Sequence, residues 1–111
     1  MDDYLKLLSF LSLAKKSGNL KSGEFQAIEA VKTQRAGVVI IAEDASDNTK
    51  KLFTDKSNYR EIPVIVFSTK EDLGRAIGKD LTASLAIVDD GMAKAFLDKH
   101  GRYLNGKNES I

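Results

Sequence analysis

Val38-Val39-Ile40-Ile41-Ala42 runs without a polar side chain and is mostly β-branched. Such a run is the signature of a strand buried on both faces, which needs helices above and below it. Two more runs share this character. Val64-Ile65-Val66-Phe67 follows Pro63, which is tolerated at the first position of a strand, and Leu85-Ala86-Ile87-Val88 lies further on.

Helical spacing fills the intervals. Tyr4, Leu7, Leu8, Leu11 and Ala14 form a stripe that predicts a helix over 4–16, capped by Asp3. Lys15 and Lys16 suit the negative end of its dipole, and Gly18 the left-handed turn beyond. Asn19-Leu20-Lys21 allows a brief strand. Ser22 offers the next N-cap, ahead of a helix carrying Phe25, Ala27, Ile28 and Val31 to about Arg35, where Gly37 breaks it. Ser46 or Asp47 caps a third helix with Leu52, Phe53, Lys56 and Tyr59 along one side. Ser68-Thr69-Lys70-Glu71 reads as a capping box for a short helix ended by Gly78. Asp89 or Asp90 caps a last helix with Met92, Ala95 and Phe96, ended by Gly101, leaving a polar, frayed tail over 101–111. Three buried strands between helices predict a mixed, mainly parallel sheet covered on both faces: an α/β fold, a three-layer α/β/α sandwich.

The chain is 111 residues long, 42% hydrophobic and 30% charged, which suits one globular domain, here 1–100, and not a disordered chain. There is no cysteine, so a disulfide scaffold, a thiolate metal site and a cysteine nucleophile are excluded. The single histidine, His100, cannot build a multi-histidine zinc site, and it reads as a solvated residue near the end of the last helix. Seventeen basic against sixteen acidic residues leave a net charge of +1, too low for bulk coating of nucleic acid. No apolar run approaches the roughly eighteen residues needed to span a bilayer, and the N-terminus does not read as a signal peptide. The expected setting is the cytoplasm, with no membrane partner.

Several motifs mimic chemistry. Gly74-x-x-x-Gly78-Lys79 is one residue short of a phosphate-binding loop, Asp80 stands where the metal-binding hydroxyl belongs, and the glycines flank a helix. Gly78 is better read as a helix C-cap. Glu43-Asp44 and Asp89-Asp90 follow strands, where Mg²⁺ could be held as in a phosphorylatable receiver domain, but helix N-capping explains them more simply. No serine sits in a Gly-x-Ser-x-Gly elbow, so a hydrolytic triad has no support. Lys15, Lys16, Lys21, Lys32 and Arg35 read as an ordinary solvated face. Two features favour RNA. Lys21-Ser22-Gly23 leads into a helix N-terminus, where free N–H groups favour phosphate. Leu81 lies in a polar connection, either packed on the last strand or exposed for contact with a splayed base.

Six ordered segments carry a family resemblance: Leu13–Gly18, Lys21–Gly23, Val38–Lys51, Ile62–Val64, Leu73–Lys79 and Ala86–Gly91. Over roughly residues 4–98 the chain resembles the kink-turn-binding ribosomal protein family (L-seven-Ae, L-thirty-e and Gadd45-like proteins), and within it the short bacterial YlxQ-type members. The resemblance implies an α/β/α sandwich with a four-stranded mixed sheet. It also implies a non-catalytic, ribosome-associated role with no cofactor and no metal. The implied partner is structured RNA with a kink-turn, such as ribosomal RNA, with ribosomal or RNA-processing proteins as further partners. A kink exposes base edges that A-form RNA hides.

Carried over by position, the first RNA-contact segment is Lys21, Ser22, Gly23 and Glu24, followed by Gln26 and Glu29, with Lys32 and Arg35 reaching flanking phosphates. The second is Ile77, Gly78, Lys79, Asp80, Leu81, Thr82 and Ala83. The family often has an asparagine and an acid where this chain has Phe25 and Gln26, and a lysine where it has Glu29. Phe25 stacks or fills the core, Gln26 replaces the acid, and Glu29 accepts from guanine N–H groups in place of donating to guanine O6. These departures support a second reading, a protein-interaction scaffold of the same fold that has lost kink-turn recognition.

Overall fold

The computed structural model describes residues 2–109, with side chains described through 106. The elements in order are α1 (Asp3–Lys16), β1 (Leu20–Ser22), α2 (Glu24–Lys32), β2 (Val38–Ile41), α3 (Asp47–Tyr59), β3 (Val64–Val66), α4 (Lys70–Ala76), β4 (Ser84–Ile87) and α5 (Asp90–Glu109). The strands form one sheet in the order β1-β4-β2-β3. α1 packs on α4 and α5, while α2 packs on α3, and the sheet lies between these layers.

The sheet is mixed, but the expectation of mainly parallel pairing is wrong. Among the described residues only β2 and β3 run parallel, with Val39 opposite Val64 and Ile41 opposite Val66. β4 is antiparallel to both β1 and β2. The physical reason is that an apolar run reports burial on two faces and carries no information about direction. Helices on both faces make an antiparallel strand as apolar as a parallel one. β2 and β4 are wholly buried, as their runs require. β3 is not: it is one of the two edge strands, and Val66 is 49% exposed.

Caps and stops shift by a residue or more. Asp2, not Asp3, accepts the Leu5 N–H at 2.8 Å. α2 ends before Gly37: Gln34 already takes the left-handed backbone, at φ 59°. Gly37 is needed for close packing instead, since a Cβ there would lie 2.6 Å from the Ala93 Cβ. Thr69 caps α4 by accepting from the Asp72 N–H, while Ser68 is buried beside it, so the box read from Ser68 to Glu71 does not form as written. Asp89 caps α5, accepting from the Met92 N–H at 2.9 Å.

The largest correction concerns the C-terminal end. α5 does not stop at Gly101 but continues to Glu109. His100 is half-buried, not solvated. Its ring stacks on Phe96, meets Phe67 edge-on and lies tilted against Tyr103. Packing of this aromatic cluster outweighs the modest helix penalty of one glycine. The part of the tail expectation that falls on 110–111 lies outside the described residues.

Candidate nucleic-acid interface

Two segments far apart in sequence form one cleft. The first is the junction of β1 and α2. Gly23 sits at φ 85° and ψ 160°, a backbone region that is essentially glycine's own. That conformation turns the chain from strand into helix in one residue. Ser22, expected as the N-cap, belongs to β1, and Gly23 takes the capping position with no side chain to offer. Asp2, Ser46, Thr69 and Asp89 accept first-turn N–H groups in the other four helices. α2 therefore presents its positive end uncapped by any side chain.

The second segment is the connection from α4 to β4. Gly78, at φ 74°, turns the chain out of α4. The Lys79 N–H donates to the Gly74 carbonyl at 2.8 Å, and the Thr82 N–H to the Lys70 carbonyl at 3.0 Å. Gly74 is buried, and any Cβ on it would collide with the carbonyl of Asp80. The glycine spacing that mimics a phosphate loop thus serves to let this connection lie against α4. The acidic pairs also have structural uses: Asp44 accepts the Lys70 N–H at 2.8 Å, and Asp89 caps α5.

The Gly23 N–H donates to the Ser84 carbonyl at 3.0 Å and ties the two segments together. Between them lies an open cleft of about 530 Å³ lined by Ser22, Gly23, Glu24, Thr49, Lys79, Asp80, Leu81, Thr82, Ala83 and Ser84. Leu81 is 68% exposed, which resolves its two sequence readings in favour of an open side chain. A second groove, of about 240 Å³, lies between α2 and α3 and is lined by Glu24, Phe25, Ile28, Glu29, Lys32 and Leu52. Glu24 borders both.

The expected contact residues divide accordingly. Ser22, Gly23, Glu24, Lys79, Leu81 and Thr82 meet in the cleft, and Glu29 and Lys32 lie in the groove. Lys21, Gln26, Gly78 and Arg35 line neither of these two cavities. Ile77 is buried in the core, and Thr82 is buried with its hydroxyl donating to the Asp80 carbonyl at 3.3 Å. Phe25 is 83% exposed, so it does not fill the core. Sequence reasoning missed Thr49 and Leu52 on α3. Thr49 lies within the Val38–Lys51 segment that carries the family resemblance, which was the available signal. Among the described residues, Glu24, Glu29, Lys32, Lys79 and Asp80 form no ion pairs; those present join Lys6 to Asp3, Lys51 to Asp55, and Arg75 to Glu71 and Asp72.

A family-wide profile of the ribosomal protein L7Ae/L30e/S12e/Gadd45 family matches residues 6–97. The chain belongs to this family. Its relatives include the RNA-binding protein YlxQ of Bacillus subtilis (strain 168), 38% identical over 87 residues, covering 78% of this chain and 87% of the relative. The large ribosomal subunit protein eL8 of Cenarchaeum symbiosum (strain A) is 31% identical over 99 residues, covering 84% and 75%. A solved structure of a Bacillus halodurans protein, described as of unknown function, superposes with a TM-score of 0.82 at 36% identity, covering 85% of this chain and 95% of that one. The Giardia lamblia 15.5kD RNA binding protein shares the fold, with a TM-score of 0.76 at 23% identity, covering 95% and 90%. The α/β/α sandwich is thus the family fold. Among the described residues no helix is long and apolar enough to cross a membrane.

Proposed function

We propose that this chain binds structured RNA without catalysis, and that its target is a kink-turn, in or near the ribosome. The observation that carries this reading is the shared cleft: an uncapped helix start and an exposed aliphatic loop, joined through the Gly23–Ser84 hydrogen bond. Backbone N–H groups at the start of α2 position a phosphate. Lys79 adds charge, and Lys21, Lys32 and Arg35 reach flanking phosphates. Gln26 reads a guanine edge of a sheared G·A pair, and Leu81 packs on the extruded base. The names of the relatives, RNA-binding and ribosomal proteins, support the same class. The expected setting remains cytoplasmic, with ribosomal or RNA-processing proteins as neighbours.

A gel-shift titration with a kink-turn hairpin tests it. Binding should weaken at least tenfold when the G·A pairs are replaced, and Leu81→Ala should weaken it by about fivefold to tenfold while leaving the melting temperature unchanged. Equal binding to a straight duplex of the same length overturns the kink-turn assignment. The exposed ring of Phe25 favours a second reading, a scaffold for protein partners. It predicts a stable protein complex and no RNA affinity at moderate salt.

A further inference from the structure

We propose that Lys6, Lys99 and Arg102 form a second RNA contact between α1 and α5, which holds backbone phosphates of a segment outside the cleft. This rests on the reading of the chain as a binder of structured RNA. The three side chains converge on one small hollow of about 120 Å³, which they line together with Asp3. Lys99 and Arg102 stand at i and i+3 on α5 and so share a face. The continuation of α5 through Gly101 is what brings Arg102 beside Lys99. Lys6 and Asp3 come from the first two turns of α1.

The whole chain is nearly neutral, at +1, yet here three cations face one carboxylate. Like charges one turn apart on a helix repel each other. The acid offsets little of this: the Lys6 Nζ lies 4.0 Å from Asp3, and both side chains are exposed, so the pair is weak. Among the described residues Lys99 and Arg102 join no ion pair. The Lys99 Nζ sits 5.8 Å from the centre of the Phe10 ring, and that attraction steadies it without neutralising it. A bound phosphate relieves the repulsion. It accepts two parallel hydrogen bonds from the Arg102 guanidinium and meets the lysines as point charges.

The hollow is separate from the cleft. Positions 3, 6 and 10 lie nearly opposite 5, 8 and 12 around a helix of 3.6 residues per turn. Leu5, Leu8 and Ser12 line the groove between α1 and α4, whose connection to β4 forms the cleft. Asp3, Lys6 and Phe10 therefore occupy the other flank of α1, toward α5. RNA seated in the cleft reaches them only around α1 or α5, so the phosphates belong to a further segment. The protein then bridges two parts of a folded RNA.

A labelled straight RNA duplex tests this, titrated by anisotropy with protein whose cleft is first saturated by a short unlabelled kink-turn hairpin. The wild-type protein should hold the duplex, more weakly than the hairpin. The triple variant Lys6→Gln, Lys99→Gln, Arg102→Gln should weaken the duplex by roughly tenfold or more and flatten its salt slope by about 2 to 3. Its affinity for the hairpin should stay at the wild-type value. Asp3→Asn removes the one acid of the hollow and should tighten the duplex by about twofold to fivefold. All four side chains are exposed, so these variants should keep the wild-type circular dichroism. Duplex binding unchanged in the triple variant overturns the second contact and leaves the kink-turn reading intact. A hairpin that does not bind, with duplex binding still lost in the triple variant, overturns the kink-turn reading and leaves the second contact standing. Inorganic phosphate or polyglutamate bound as tightly as the duplex, and lost in the triple variant, would assign the hollow to a free anion or an acidic protein segment and overturn the proposal.

Discussion

Gly74 shows how one missing side chain shapes the site. It is buried in α4, and the backbone of the Lys79-Asp80 connection lies where a methyl group would go. Gly74→Ala must therefore push that connection outward. Urea unfolding should show a loss of about 1–3 kcal/mol, as for other overpacked positions, and RNA binding should fall with it. His100 is the other telling residue. Its pKa is lowered in the folded chain because burial among Phe67, Phe96 and Tyr103 disfavours the charged imidazolium. The unfolded chain binds that proton with ordinary affinity, near pH 6.5. Stability is therefore full above this value and declines as pH falls through it toward the lowered folded value. The melting temperature should drop between about pH 7.5 and pH 5.5, and His100→Phe should flatten that stretch of the profile. An unchanged slope in the variant would place the pH sensitivity elsewhere.

Among the elements, α5 and α2 depart most from local expectation. α5 passes through Gly101, where a Cβ would meet nothing within 4 Å. Helix propensity alone then decides the effect of a substitution there. Gly101→Ala should stabilise the protein by about 0.5–1 kcal/mol in urea unfolding. A neutral or destabilising result would mean that α5 does not continue past this point in solution. Locally Gly101 reads as a stop because its neighbours are polar. The packing that carries the helix onward comes from Tyr103, His100 and a phenylalanine at position 67, distant in the chain. α2 shows the reverse. Its start was legible as a helix N-terminus from Lys21-Ser22-Gly23, but the absence of a side-chain cap was not. Ser22 could serve either a strand or a cap, and pairing of β1 with β4 settled it as strand.

For the molecule as a whole, the net charge of +1 limits what electrostatics can contribute. If Lys21, Lys32 and Lys79 each neutralise one phosphate, the logarithm of the binding constant should fall with that of salt concentration with a slope of roughly −2 to −3. A slope steeper than about −6 would mean that RNA wraps much more of the surface than the cleft and groove. The cleft and the groove are mixed in sign, since Glu24, Glu29 and Asp80 share them with Lys32 and Lys79. If this surface binds RNA as proposed, selectivity comes from stacking and hydrogen bonding more than from charge.

Local chemistry sufficed for the layered architecture, the buried central strands, most helix starts and both segments of the cleft. Those features follow from periodicity, burial and backbone preference, which act over a few residues. Strand direction, the exposed edge at Val66, the run of α5 past Gly101 and the meeting of Gly23 with Ser84 depend on contacts between residues tens of positions apart. Such contacts are chosen by packing of the whole chain, because an apolar side chain reports that it must be buried and says nothing of what will bury it.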